Sequence, residues 1–460
     1  MAKHNIEKWS LGYALLKAYV MVVFRLYYKK IVIRGKENIP ADEPIILSPN
    51  HQNALMDAFA VHYAIPGQLV FLARSDIFEN PVIDKILTFM KILPIYRIRD
   101  GYGKLQENEA IINKTTDILR KHKYLVILPE GNHYGERRLR PLKKGICRMS
   151  FQAEEKSNFN LGLKIVPVGL DYTSYTKMNH TLFINFGKPV EVSKHIPLYK
   201  ANPQKANNQL LKDISNQMKQ YMIHIEDQSH YKLFDSLREI YKYRMKEQLG
   251  LKNLQQPNKF YSDKNIIAVL DKALEDNKAE IDDLQPKVAK FNKILKRLRL
   301  RYWVLNHRFY SPLKLLLQFV LLMASAPLFL YGLINNFLPY YLPVLATKKI
   351  KDKQFHSSFK NGIAILSFPL FYLIQFLVVS HLFSSFLYGL VYLVSLPLTG
   401  YLALHYYIAL KKFIARVRYN LLMLSKNKSL SEAISLKNHI ISGMNKLVKA
   451  YHSENTHVNS

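Results

Sequence analysis

The chain has 460 residues, 49% of them apolar, which leaves no doubt of its capacity to bury a large core and gives room for two or three domains. A formal charge of +32 points to an anionic partner: nucleic acid, an acidic membrane leaflet or phosphorylated substrates. Cys147 is the single cysteine, which excludes an intramolecular disulfide and a multi-cysteine metal site and fits a reducing, cytoplasm-facing domain.

The first residues, Met1 to Trp9, show no small-residue cleavage site after a short apolar core, so no removable signal peptide is expected. Trp9 to Tyr28 is apolar and aromatic but interrupted by Lys17 and Arg25. Over residues 1–30 this fits an interfacial helix on a membrane surface, or a helix packed on the domain that follows. From Ile31 to about Pro189, strand-like runs alternate with helical ones. The runs are Ile31–Ile33, Ile45–Leu47, Leu69–Leu72, Ile92–Tyr96, Tyr124–Leu128, Lys164–Val168 and Leu182–Phe186. Helices are expected at Val82–Lys91, Asn108–His122 and Lys144–Glu155, so residues 31–200 read as an α/β domain on a largely parallel sheet.

Ser48-Pro-Asn-His-Gln-Asn-Ala-Leu-Met-Asp57 follows the second run and leads into a helix. Strand-to-helix turns of open α/β sheets carry chemistry, and His51 there is a candidate general base, with Asp57 to fix its tautomer. On a continuous helix their six-residue offset would turn them about 240° apart. They can meet only if the chain bends, and Asn53 is expected to provide the bend as an N-cap. The pair also fits an ordinary loop histidine and a first-turn aspartate.

Three later strands end in loaded residues. Arg97 and Arg99 leave one with guanidinium groups able to hold a phosphate. Leu128-Pro-Glu-Gly-Asn132 ends another in a glutamate and a glycine turn, followed by Arg137, Arg138, Arg140, Lys143 and Lys144. Val166-Pro-Val-Gly-Leu170 ends the third. In this order and spacing the four blocks, with Phe186-Gly-Lys-Pro189, resemble the glycerolipid acyltransferase family. That family usually has four residues between its His and Asp, whereas five separate His51 from Asp57. The longer spacing, like the run to Pro141-Leu-Lys-Lys-Gly145, looks like the subgroup that acylates the first position of glycerol 3-phosphate or dihydroxyacetone phosphate.

The resemblance implies an acyltransferase domain with His51 as base and Asp57 as its partner. It implies acceptor binding by Arg97, Glu130 and Gly131, with Arg99 and Asn53 placed beside them in the substrate-binding set, and a donor-side role for Pro167. Pro94 stands where many members have phenylalanine, and Asn132-His133-Tyr134 replaces the usual small hydroxyl or basic residues, which puts the acceptor's identity in doubt. The reaction implied needs no metal and no cofactor: the donor substrate is acyl-CoA or acyl carrier protein, and the acceptor a phosphorylated glycerol.

Residues 201–312 read as amphipathic helices. The last carries apolar Val288, Phe291, Ile294 and Leu295 beside Lys290, Lys293, Lys296, Arg297 and Arg299, and ends at Tyr302 and Trp303. It suits an anionic membrane surface, an acidic carrier protein, or plain solvation. Residues 313–412 hold two apolar runs, Leu315–Ala346 and Ile363–Leu410, read as membrane helices. The first, broken by Pro327, Pro339 and Pro343, is expected to form a re-entrant hairpin, and the second two spans turning near His381–Ser385. This keeps the lysine loop Lys348–Lys360, Lys411 and Lys412 on the cytoplasmic side with the catalytic domain. Residues 413–460 read as a helical tail.

The expected protein is an integral membrane enzyme of phospholipid biosynthesis that acylates glycerol 3-phosphate or dihydroxyacetone phosphate. Lysophosphatidate acylation is the near alternative, and a non-catalytic lipid-binding membrane protein the distant one. Nucleic acid is not an expected partner, because the apolar runs are long and no nucleic-acid motif is present.

Overall fold

The computed structural model describes residues 6–96 and 107–458, so Arg97 and Arg99 lie outside the described residues. The chain forms two compact units, Met1–His224 with Thr347–Gly362, and Ile225–Ala346 with Ile363–Ser460.

In the first unit, helix α1 (Leu11–Tyr27) precedes strand β1 (Lys30–Arg34). The alternation continues through β2 (Ile45–Pro49), α2 (Leu55–Ala64), β3 (Val70–Arg74), α3 (Pro81–Phe89), β4 (Ile92–Ile95), α4 (Glu107–Arg120), β5 (Leu125–Val126) and α5 (Gly145–Glu155). It closes with β6 (Lys164–Tyr172), β7 (Thr181–Phe186), β8 (Val190–Glu191), α6 (Ile196–Ala201) and α7 (Pro203–Tyr221). Among the described residues the eight strands make one sheet in the order β1-β7-β6-β2-β5-β3-β4, with β8 beside β6. Only β6–β7 and β6–β8 pair antiparallel. The expected largely parallel sheet is therefore present.

Both faces of the sheet are covered, which is why its central strands read as unbroken apolar runs. Ile46, Leu125 and Ile165 face a core with Ile118, Phe151 and Leu210 from α4, α5 and α7. Their neighbours Ile45, Leu47, Val126 and Val166 face the opposite core with Phe24, Phe59 and Val61 from α1 and α2. The two charges that interrupt α1 are used inside the unit. Lys17 Nζ donates to Ile65 O at 3.0 Å and to Gly67 O, and Arg25 donates to Tyr28 O at 3.1 Å. Trp9, Leu11, Leu15, Val22 and Leu26 stay exposed, as do Val82, Ile83, Ile86 and Phe89 of α3, whose Phe89 ring lies against Gly12. α1 thus packs on the domain through one side and presents an apolar, membrane-type side on the other.

The second unit has helices α8 (Tyr231–Gln248), α9 (Asn258–Asp276), α10 (Lys278–Arg297), α11 (Pro312–Thr347), α12 (Phe355–Leu382), α13 (Phe386–Leu424) and α14 (Lys428–Val458), the ends of α11 and α12 belonging to the first unit. The apolar residues of α10, including Val288, Phe291 and Ile294, are buried, and Lys290 pairs with Glu432 of α14 at 2.5 Å. What α10 leaves for an anionic partner is its basic side alone.

Among the described residues three helices, α11, α12 and α13, are long and apolar enough to cross a membrane, which marks the protein as membrane-associated. The first apolar run is one helix of 36 residues rather than the expected hairpin. The reason lies in how its prolines are compensated. Pro339 cannot donate to Asn335 O, and Gln375 Nε2 of α12 does so at 3.2 Å; Pro343 cannot donate to Pro339 O, and Ser367 Oγ does so at 3.0 Å. Replacing either donor by an apolar residue, in Gln375→Leu or Ser367→Ala, is expected to cost ~1 kcal/mol. Thermal unfolding of the protein in detergent checks this; a double variant as stable as the parent would remove the explanation.

Candidate active site

Parallel neighbours β2 and β5 end side by side, and the loops that leave them build the site. Beyond Pro49 the chain quits the sheet, yet Asn50 carries the pairing one residue further. Its backbone N–H donates to Val168 O at 3.2 Å, its side chain donates to Leu170 O at 3.2 Å, and Leu170 N–H donates back to it at 2.6 Å. The next residue, His51, is thereby launched from a fixed point.

The bend that the pair requires occurs at Ala54, which has φ 46° and ψ −127°, an uncommon conformation for a residue with a side chain. Asp57 holds it in place. Its Oδ2 accepts from Gln52 N at 2.8 Å, from Asn53 N at 2.7 Å, and from the His51 ring Nδ1 at 2.9 Å. Its Oδ1 accepts from the Tyr172 hydroxyl at 2.7 Å. Asp57 is fully buried, whereas the His51 side chain keeps 17% of its surface exposed. An imidazole anchored through Nδ1, with part of its side chain exposed, can take a proton from a bound alcohol at Nε2. The carboxylate favours the imidazolium that results.

Glu130 underlies the same loop. Its Oε1 accepts from His51 N at 2.6 Å, its Oε2 from Arg140 N at 3.0 Å, and it is 2% exposed. Gly131 follows at φ 68°, a left-handed turn that glycine adopts without strain, and its N–H returns to Leu128 O at 3.1 Å.

The family model described as Acyltransferase matches residues 30–171, the stretch that contains all of these groups. Residues 30–171 are an acyltransferase-family domain. Among relatives, the chain is 25% identical over 185 residues to the 1-acyl-sn-glycerol-3-phosphate acyltransferase of Borreliella burgdorferi, covering 40% of this chain and 68% of that one. It is 23% identical over 247 residues to Glycerol-3-phosphate O-acyltransferase 1 of Saccharomyces cerevisiae, covering 50% of this chain and 32% of that one. The chain therefore spans between about a third and about two thirds of the length of the curated relatives it matches. The crystal structure of the 1-acyl-sn-glycerophosphate acyltransferase PlsC from Thermotoga maritima aligns with a TM-score of 0.31 at 16% identity, over 44% of this chain and 78% of that one.

Within the acyltransferase domain, the residues singled out from the sequence fall into three groups. His51 and Asp57 are at bonding distance. Glu130, Gly131 and Asn53 support the loop from behind, the first two as just described. Asn53 is not the helix cap, which falls on Ala54 without a side-chain bond; its backbone N–H binds Asp57, and its buried Oδ1 has no hydrogen bond among the described residues. Pro167 is buried in β6, in register with Ser48 of β2. Arg97 and Arg99 lie outside the described residues. Arg138 and Arg140, in the loop that follows Glu130, are half-buried, and Glu130 accepts from the backbone N–H of both Arg140 and His51.

Sequence reasoning missed Asn50 and Tyr172. A tyrosine inside an apolar strand carries no signal of its bond to an aspartate more than a hundred positions away. It also missed His133, whose ring stands edge-on to His51 with centroids 5.4 Å apart. Burial lowers the pKa of His133, opposed by its bond to Asp352 and reinforced by the neighbouring His51.

Burial also pushes the Glu130 carboxyl from its ordinary 4.5 up to about 8, against the two backbone donors that favour its charged form. A folded-state pKa above the unfolded one contributes stability fully present below about 4.5 and lost as pH rises through about 8. Glu130→Gln should therefore lose stability less steeply than the parent between these pH values. Unfolding midpoints of both proteins from pH 5 to pH 9 test the difference, and parallel slopes would contradict it.

Proposed function

We propose that the protein transfers a fatty acyl group from an acyl thioester to the hydroxyl of glycerol 3-phosphate, or of dihydroxyacetone phosphate. The observation that carries this reading is the His51–Asp57 pair, buried on the acid side and open on the imidazole side. His51 Nε2 takes the hydroxyl proton as the oxygen attacks the thioester carbonyl. The tetrahedral adduct then expels the thiolate, which recovers the proton from the imidazolium, so an ester and a free thiol leave. Arg97, Arg99 and Arg140 are assigned to the acceptor phosphate, which turns an encounter into an oriented attack.

The five-residue interval between His51 and Asp57 supports first-position acylation, as does the long match to the yeast glycerol-3-phosphate enzyme. The second reading, 1-acylglycerol 3-phosphate as acceptor, is favoured by the Borreliella relative, of which more than half is covered. The donor is acyl-CoA or acyl carrier protein, since both present the same thioester. No resident cofactor is assigned. The catalytic domain is assigned to the cytoplasmic face, where the lysine loop Lys348–Lys360 and an anionic leaflet meet.

The deciding experiment supplies the detergent-solubilised protein with acyl-CoA and a thiol reagent, and adds glycerol 3-phosphate, dihydroxyacetone phosphate or 1-acylglycerol 3-phosphate in turn. Thiol release that depends on one of the first two supports the leading reading. Release only with the third moves the assignment to the second reading, and release with none of them leaves a lipid-binding protein.

A further inference from the structure

The junction of α11 and α12 is not an idle connection. Thr347–Gly362 belongs to the compact unit of the acyltransferase domain, although it lies about two hundred positions beyond it in sequence. Five contacts fix it there. Asp352 Oδ2 lies 3.2 Å from His133 Nε2, and the Phe355 ring stands edge-on to the same imidazole with centroids 4.4 Å apart. Ser357 is fully buried, accepting from the Tyr27 hydroxyl at 2.9 Å and donating to Tyr175 O. Ser358 Oγ accepts from Leu55 N at 3.0 Å.

The last of these answers a gap in α2. A helix leaves its first N–H groups without partners, and a side chain at the N-cap normally accepts one of them. Ala54 holds that position and has nothing to offer. The first helical N–H, that of Leu55, takes its acceptor instead from Ser358, three hundred and three positions later. Asp57 sits two residues into that turn, with its carboxylate at the centre of the bend. The other member of the pair is held by a separate route. His133 contacts the His51 ring and is itself contacted by Asp352 and Phe355. Two independent anchors from one short segment thus reach the two halves of one pair.

We propose that Asp352, Phe355 and Ser358 form a positioning clamp for the His51–Asp57 pair, holding the imidazole through His133 and the carboxylate through the first turn of α2. The clamp touches no substrate and acts only through the residues it holds. Its catalytic consequence rests on the function proposed above.

The test uses the full chain in detergent with Ser358→Ala, Asp352→Asn, the double variant, and Ser358→Thr, which keeps the hydroxyl. Misplacement of reacting groups by about 1 Å costs roughly 100-fold, so each single variant is expected to lower kcat about tenfold and the double about 100-fold. KM for thioester and acceptor should stay within about twofold, and Ser358→Thr should recover most of the rate. Single variants with parental kcat, or a Ser358→Thr protein as slow as Ser358→Ala, would overturn the clamp.

A second measurement does not need turnover. The rate at which diethyl pyrocarbonate modifies His51, read by mass spectrometry of its peptide, should change several-fold in the double variant while that of exposed His439 stays constant. An unchanged His51 rate overturns the clamp, even for a protein whose unfolding midpoint has moved. A parent that releases no thiol with any acceptor removes the proposed function, yet this modification rate still decides the clamp.

Discussion

His51→Ala is expected to remove acceptor-dependent thiol release, by at least the 10²- to 10⁴-fold that a positioned general base contributes. The structure makes this a clean substitution. The His51 side chain is partly exposed, so its loss opens little buried space, and the bond that seats the loop, from His51 N to Glu130, belongs to the backbone and survives. Asn50 keeps its three bonds to β6, and Asp57 keeps Gln52 N, Asn53 N and Tyr172. The variant should therefore melt with the parent and fail only in chemistry. Slow hydrolysis of the thioester, independent of acceptor, remains as the background against which the loss is read. A variant that keeps a tenth or more of the parent's acceptor-dependent rate would mean that another group takes the proton, and the nearest imidazole, that of His133, would be examined by the same substitution.

The α/β framework was legible because a doubly covered sheet leaves a direct trace: each central strand shows as an unbroken apolar run, and the helices between them carry a 3.6-residue period. Seven runs read from the sequence correspond to β1–β7, and β8, Val190–Glu191, went unread. The His51–Asp57 contact was legible only as a condition, that the chain must bend. Asn53 was the natural residue to bend it, but the bend falls on Ala54, whose strained φ is held by three donors converging on one carboxylate oxygen. No local propensity encodes such a convergence.

Distance in sequence hid the rest. Tyr172, Asp352 and Ser358 reach the site from positions that a linear reading has no reason to join. The same blindness explains the first apolar run, where the prolines read as breaks. A proline interrupts a helix by withholding a donor, and Gln375 and Ser367 supply donors from the following helix. Breaker residues can be weighed only once their neighbours in space are known.

Asp57→Asn should preserve the architecture and lose most of the rate. An asparagine can direct its single carbonyl oxygen at the three donors that Oδ2 now accepts, Gln52 N, Asn53 N and the His51 ring, because all three lie between 2.7 and 2.9 Å from one atom. Its amide nitrogen then faces the Tyr172 hydroxyl, which rotates from donor to acceptor. Every buried bond is kept, so the bend at Ala54 and the fold should persist. What disappears is the negative charge beside an imidazole that must become positive during the reaction, in a position shielded from water where charge matters most. The corresponding substitution in a serine-protease triad costs about 10⁴-fold, and a loss between about 10² and 10⁴ is expected here, with KM for the acceptor changed little. If asparagine instead supports turnover near the parental rate while alanine at the same position does not, the carboxylate serves only to tie the loop, and His51 would be working without an electrostatic partner.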